Sequence, residues 1–202
     1  MSENVAVAEK PLEILLIDDD LDRASAFRSA LDRSRYRLSH LVSSRTSLLK
    51  EVDKLKPDII VIDIESPDRD ILESLSTLSN FNPKPVVMFC EQEDTGLINQ
   101  SVQSGVSAYV VGEVSSARVR SILDAAVARF NQYQSLKQEL SETKRKLDSR
   151  RLVDKAKSLL MQKKAMSEEQ AFNSIRKMAM DTGQRMEDVA RTLITLISTL
   201  DN

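Results

Sequence analysis

Short apolar runs alternate with stretches of helical length along the first half of the chain. Ile14-Leu15-Leu16-Ile17 precedes a helical segment from Leu21 to Leu31, Leu38 to Val42 precedes Leu48 to Leu55, and Ile59 to Ile62 precedes Ile71 to Leu78. Val86 to Phe89 then precedes Gly96 to Val102, and Ala108 to Val111 closes the series. Strands that read as near-continuous Val, Ile and Leu are buried on both faces. The pattern therefore predicts an α/β unit, a five-stranded parallel sheet between helical layers in the flavodoxin-like, doubly wound order. Pro57, Pro83, Pro85 and Gly105 fall just ahead of predicted strands, as turn residues should.

Behind Ser115-Ser116, read as a helix N-cap pair, neither Gly nor Pro occurs until Gly183, which predicts one long helix. Counting in sevens places Val119, Ala126, Tyr133, Leu140 and Leu147 on one seam position and Ile122, Leu136 and Thr143 on the other, with Arg129 and Arg150 interrupting. Such a seam predicts a coiled coil and a homodimer. Up to about Phe130 the helix should cover the sheet; beyond it the sequence is too polar for a monomer to bury. The last fifty residues predict three short helices, Leu152 to Gln162, Ser167 to Thr182 and Met186 to Leu200. Ser167-Glu168-Glu169-Gln170 has capping-box form and Gly183 is a stop. Ala156, Leu159, Leu160, Ala171, Ile175, Met178, Ala179, Ala190, Leu193 and Ile197 recur at helical spacing as the expected small core. The expected divisions are a disordered tail over 1–11, the sheet unit over 12–128, a coiled-coil linker over 129–150 and a helical unit over 151–202.

Composition narrows the class. With 41% apolar residues, 30% charged residues and only 4 Gly and 5 Pro in 202 residues, the chain is expected to be globular rather than disordered. One cysteine, Cys90, excludes an internal disulfide or a cysteine metal cluster. The N-terminus lacks a signal-like apolar stretch, and no run approaches the ~20 residues of a membrane helix, so the expectation is cytoplasmic. Charge is divided unevenly: residues 1–116 hold 12 Lys and Arg against 20 Asp and Glu, and residues 117–202 hold 17 against 11. An acidic front and a basic back suggest two modules, the basic one facing a polyanion.

In a parallel sheet, strand ends converge at one edge, which brings Asp18, Asp19 and Asp20 near Asp63. Crowded carboxylates of this kind suit a hard cation such as Mg2+. The segments ILLIDDD and PDIIVIDIESPDRD give residues 12 to about 128 a resemblance to a response-regulator receiver domain. That resemblance implies Asp63 as the phosphoacceptor-like residue and Asp18, Asp19 and Asp63 as metal ligands. It departs from the family at two positions. Cys90 stands where receivers carry Ser or Thr, and Gly112 where they carry the lysine that contacts the phosphoryl group. A thiol is a weak hydrogen-bond partner and glycine carries no charge, so the reading is a pseudo-receiver that serves as a docking surface for a sensor.

The segment from Arg150 to Ile194 resembles the ANTAR domain, an RNA-binding three-helix module. The likeness rests on Ala156-Lys157 with Leu160-Met161, on Ser167 to Phe172, on Arg176 with Met178-Ala179-Met180, and on Val189-Ala190. Lys155, Lys157, Lys163, Lys164, Arg176, Lys177 and Arg185 fall outside the expected core and are the candidate RNA-binding residues. A major-groove recognition helix fits poorly, because Glu187 to Leu200 carries a single basic residue, Arg191, and an aromatic stacking platform is lacking. The whole order resembles the NasT and AmiR group of antitermination regulators, within it the NasT type of nitrate and nitrite assimilation. That resemblance implies a homodimer bound to leader RNA hairpins and a nitrate-binding, NasS-like sensor partner. The alternative is a phosphorylation-controlled regulator that binds DNA. An enzyme is not expected, since the only histidine, His40, lies in a predicted strand away from the acidic edge without catalytic companions.

Overall fold

The structure, a computed structural model, describes residues 10–41, 47–91, 93–112 and 116–200. Ser115 and most of the expected N-terminal tail therefore lie outside the described residues. In chain order the elements are β1 (Leu12–Asp18), α1 (Leu21–Ala30), β2 (Tyr36–Leu41), α2 (Leu48–Leu55), β3 (Ile59–Asp63) and α3 (Arg69–Phe81). They continue with β4 (Val86–Cys90), α4 (Thr95–Gln103), β5 (Ala108–Val111), α5 (Ser116–Lys164), α6 (Glu168–Thr182) and α7 (Met186–Leu200).

The sheet has the order β2-β1-β3-β4-β5 with every pair parallel, as the apolar runs predict. Because β1 and β3 are buried on both faces, each contributes to two cores. Leu15, Ile17, Ile60 and Ile62 meet α2 and α3 through Val52, Ile71 and Leu75. Ile14, Leu16, Ile59 and Val61 meet α1 and the start of α5 through Phe27, Val119, Leu123 and Ala126. The first two heptads of the seam are thus consumed by the sheet.

One expectation is corrected. The segment from Leu152 to Gln162 is not a separate helix; α5 runs unbroken from Ser116 to Lys164. Nothing between Arg150 and Leu152 disfavours helix, so linker and first effector helix fuse. Helix α5 ends at Ala165, which takes a left-handed φ of 49° without the glycine that usually marks such a stop. The capping box at Ser167 and Gln170 is formed, and Gly183 ends α6 at φ 63°.

The contacts divide the chain into two compact units after Tyr133. In the second, Ala156, Leu160, Ala171, Ile175, Ala179, Val189 and Ala190 form the core, flanked by Leu152, Met178, Leu193 and Ile197. Small residues at the centre let three helices approach closely.

Candidate functional site

Parallel pairing sets Asp18 and Asp63 side by side at the carboxyl edge of β1 and β3. Asp18 is fully buried, and its Oδ1 accepts the Asp20 N–H at 2.8 Å. Asp20 is occupied otherwise: it caps α1, accepting the Asp22 and Arg23 N–H groups at 2.8 and 3.0 Å, which holds its carboxyl below the usual range. Asp68 caps α3 through the Ile71 N–H at 2.7 Å. Two carboxylates of the acidic edge therefore do structural work that any helix N-terminus requires.

The sequence reading missed Arg23. Its guanidinium donates to Asp18 Oδ1 at 3.1 Å and lies 3.5 Å from Glu91 Oε1 and 3.9 Å from Asp63 Oδ1. A cavity of about 480 Å³ opens beside it, lined by Asp19, Asp20, Arg23, Ile64, Glu65, Ser66, Asp68 and Ile71. Burial first, and then the Asp18 charge, push the Asp63 carboxyl up to about 6. No set of three or more His, Cys, Asp or Glu among the described residues is arranged to hold a metal ion, so the expected ligands Asp18, Asp19 and Asp63 are not gathered as one. Among the described residues Arg23 is the cation that stands beside both Asp18 and Asp63.

The two switch positions are equally unlike a phosphate relay. Cys90 is buried at the end of β4, and burial pushes its thiol up. Its neighbour Tyr109 sets a buried hydroxyl beside that thiol. Gly112 has φ +84° and donates its N–H to the Cys90 carbonyl at 2.9 Å. His40 lies opposite Leu16 in the sheet register.

In the C-terminal unit the expected cations separate into classes. Lys157 is held between Asp154 at 2.9 Å and Glu168 at 2.7 Å, with only 16% of its side chain exposed. Arg185 lies 3.7 Å from Glu187. Lys163 takes part in an interaction, whereas Lys155, Lys164, Arg176 and Lys177 are exposed and make no ion pair among the described residues. Three further cations lie outside the RNA-binding set read from the sequence. Arg145, Lys146 and Arg150 on α5 join Arg185, Ser149, Met186 and Glu187 around an open cavity of about 450 Å³. Helical spacing puts Lys146 and Arg150 one turn apart, and Arg185 reaches the same place from the loop before α7. Glu187 is the one carboxylate on the lining, held low by Ser149 and by Arg185 and Arg145. The groove is strongly cationic and open, which suits phosphate groups better than a small apolar ligand.

Along α5, the coiled-coil candidates Tyr133, Leu136, Leu140 and Leu147 are exposed, Leu140 to 71%, and Thr143 is exposed with them. No helix among the described residues is long and apolar enough to cross a membrane.

The sequence matches the response regulator receiver domain over residues 14–124 and the ANTAR domain over residues 141–194. It is similar to the transcriptional regulatory protein PdtaR of Mycobacterium tuberculosis, at 26% identity over 194 residues, 96% of this chain and 95% of that one. Over 77 residues, 38% of this chain and 19% of the relative, it is 42% identical to a nitrate regulatory protein of Klebsiella oxytoca. The CheY-like response regulator receiver domain protein of Methanospirillum hungatei superposes with a TM-score of 0.53 at 17% identity, covering 61% of this chain and 99% of its own, a likeness of fold alone.

Proposed function

Because the chain belongs to the response regulator receiver-domain family and carries an ANTAR domain behind that unit, we propose that it is an RNA-binding transcription antiterminator. The observation that carries this reading is the cationic groove of Arg145, Lys146, Arg150 and Arg185, with Glu187 as its one lining carboxylate and Asp154 3.9 Å from Arg150. A structured RNA presents closely spaced phosphates, and such a groove holds them by charge and shape. Lys155, Lys164, Arg176 and Lys177 extend the contact. The scarcity of exposed aromatics argues for hairpins over unstacked single strands.

In this reading a homodimer, joined along α5 by Tyr133, Leu136, Leu140, Thr143 and Leu147, binds paired hairpins in a nascent leader and prevents a terminator from forming. The receiver unit docks a sensor, and docking keeps the basic helices from RNA. Partial similarity to a nitrate regulatory protein supports a nitrate-binding, NasS-like sensor and a nitrate or nitrite assimilation operon as the target.

Filter-binding titration of the full chain against a leader hairpin, with duplex DNA as competitor, tests the core of this. The hairpin is expected to win, and Arg145→Ala with Arg150→Ala is expected to reduce the log–log salt slope by about 2. Preference for the duplex, or a slope that ignores both substitutions, rejects the proposal. Release of the chain from a nitrate-binding sensor on adding nitrate tests the control.

A further inference from the structure

We propose that Arg23 is the resident counter-cation of the acidic edge and that it takes the place of the divalent ion receiver domains use there. One guanidinium reaches carboxylates from three elements: Asp18 at the end of β1 (3.1 Å), Asp63 at the end of β3 (3.9 Å) and Glu91 just after β4 (3.5 Å). It is the one cation on the lining of the adjoining cavity. Its position is built in, not incidental. The Arg23 N–H is bound by the capping carboxylate of Asp20 at 3.0 Å, so the first turn of α1 is pinned where the side chain points back over the sheet edge. Asp18 is buried, and a buried carboxylate without a cation nearby is strongly unfavourable.

Arg23 and a divalent ion exclude each other. Mg2+ binds carboxylate oxygens at about 2.1 Å, so an ion between Asp18 and Asp63 would lie within a few ångströms of a guanidinium that already donates to Asp18 Oδ1 and stands 3.9 Å from Asp63 Oδ1. Asp18 Oδ2, the oxygen that Arg23 does not contact, is buried without a hydrogen-bond partner among the described residues, so the guanidinium holds this carboxylate through Oδ1 alone. The same arrangement makes sense of Gly112: a pocket that takes its cation from the α1 side does not need a lysine after β5. The pocket thus carries its counter-cation without metal, and the receiver unit offers its partner a surface that does not depend on a metal ion.

The test uses the full chain and Mn2+ as a spectroscopic stand-in, read by electron paramagnetic resonance of free Mn2+, with Mg2+ in competition. The wild-type protein is expected to leave millimolar Mn2+ free, and its thermal midpoint should not respond to MgCl2. Arg23→Gln should bind Mn2+ at least about tenfold more tightly, since a positive charge beside the ion is removed. That variant should also melt lower without metal and be rescued by MgCl2, whereas Arg23→Lys should behave as the wild type does. Submillimolar Mn2+ binding by the wild type, displaced by Mg2+, overturns the proposal even if Arg23→Gln does not fold. Equal affinity in wild type and Arg23→Gln overturns it as well.

Discussion

The Lys157 ammonium lies 2.7 Å from Glu168 Oε1 and 2.9 Å from Asp154 Oδ1, which ties the end of α5 to the first turn of α6. Lys157 is therefore a structural clamp, and its charge is largely answered within the protein. Lys155, two positions earlier on the helix, has no such partner among the described residues. Lys157→Ala is expected to lower the thermal midpoint of the C-terminal unit by circular dichroism. Lys155→Ala should leave that midpoint unchanged and weaken hairpin RNA binding, mainly at low salt. The opposite pattern would place Lys157 on the RNA and remove the clamp.

Exposed apolar residues on a polar helix set up the next prediction. Leu140 and Leu147 are 71% and 53% exposed, a buried Leu contributes about 2 kcal/mol, and the proposed dimer would bury four such side chains along its contact. Leu140→Glu with Leu147→Glu is expected to convert a dimer to a monomer in light scattering. Thr143→Leu fills the polar gap in the seam and should raise the dimer's thermal midpoint. An unchanged mass for the double variant would show that α5 is not the dimer contact.

Much of this was legible in the sequence because it follows from local rules. Continuous Val/Ile/Leu runs gave the sheet and its order, and Ser167, Gln170 and Gly183 gave the ends of α6. What escaped notice depends on distance in space. Arg23 reads as one polar residue of α1 until the pairing of β1 with β3 brings Asp18 and Asp63 to it. Lys157 meets Glu168 only after the turn between α5 and α6. Arg150 reads as an interruption of the seam and nothing singles out Arg145 or Lys146; only the approach of Arg185 before α7 turns them into a groove. The fused α5 has a different cause: family resemblance suggests a boundary near residue 150, while the residues there have no reason to leave the helix.

Asp63 gives a pH prediction with a definite sign. Its folded pKa is raised to about 6 from 3.8, by burial first and by the Asp18 charge second. A carboxyl with a raised folded pKa favours the folded state while protonated. That contribution is fully present below about pH 4 and is lost as pH rises through about 6. Asp63→Asn removes the titration. It should gain stability at neutral pH by an amount on the order of 1 kcal/mol, after allowance for solvent screening of a partly open group. Urea unfolding at several pH values checks this: the difference between wild type and variant should grow between about pH 4 and pH 6 and level off above. A difference of constant size across that range would assign the effect to packing.

Gly112 provides the sharpest contrast with a phosphate-driven receiver. Restoring the family lysine as Gly112→Lys meets no obstacle at its first side-chain atom, since nothing among the described residues lies within 4 Å of an added Cβ. The obstacle is the backbone, because φ +84° is a conformation that glycine adopts freely and an L residue does not. Both Gly112→Ala and Gly112→Lys are therefore expected to lose about 1 kcal/mol. Because Arg23 already answers Asp18 and Asp63, the lysine should recover nothing over the alanine, and acetyl phosphate with Mg2+ should leave Asp63 of either variant unmodified in intact-protein mass spectra. If Gly112→Lys proves more stable than Gly112→Ala and acquires a phosphoryl adduct, the acidic edge is short of positive charge after all, and Arg23 is not enough to satisfy it.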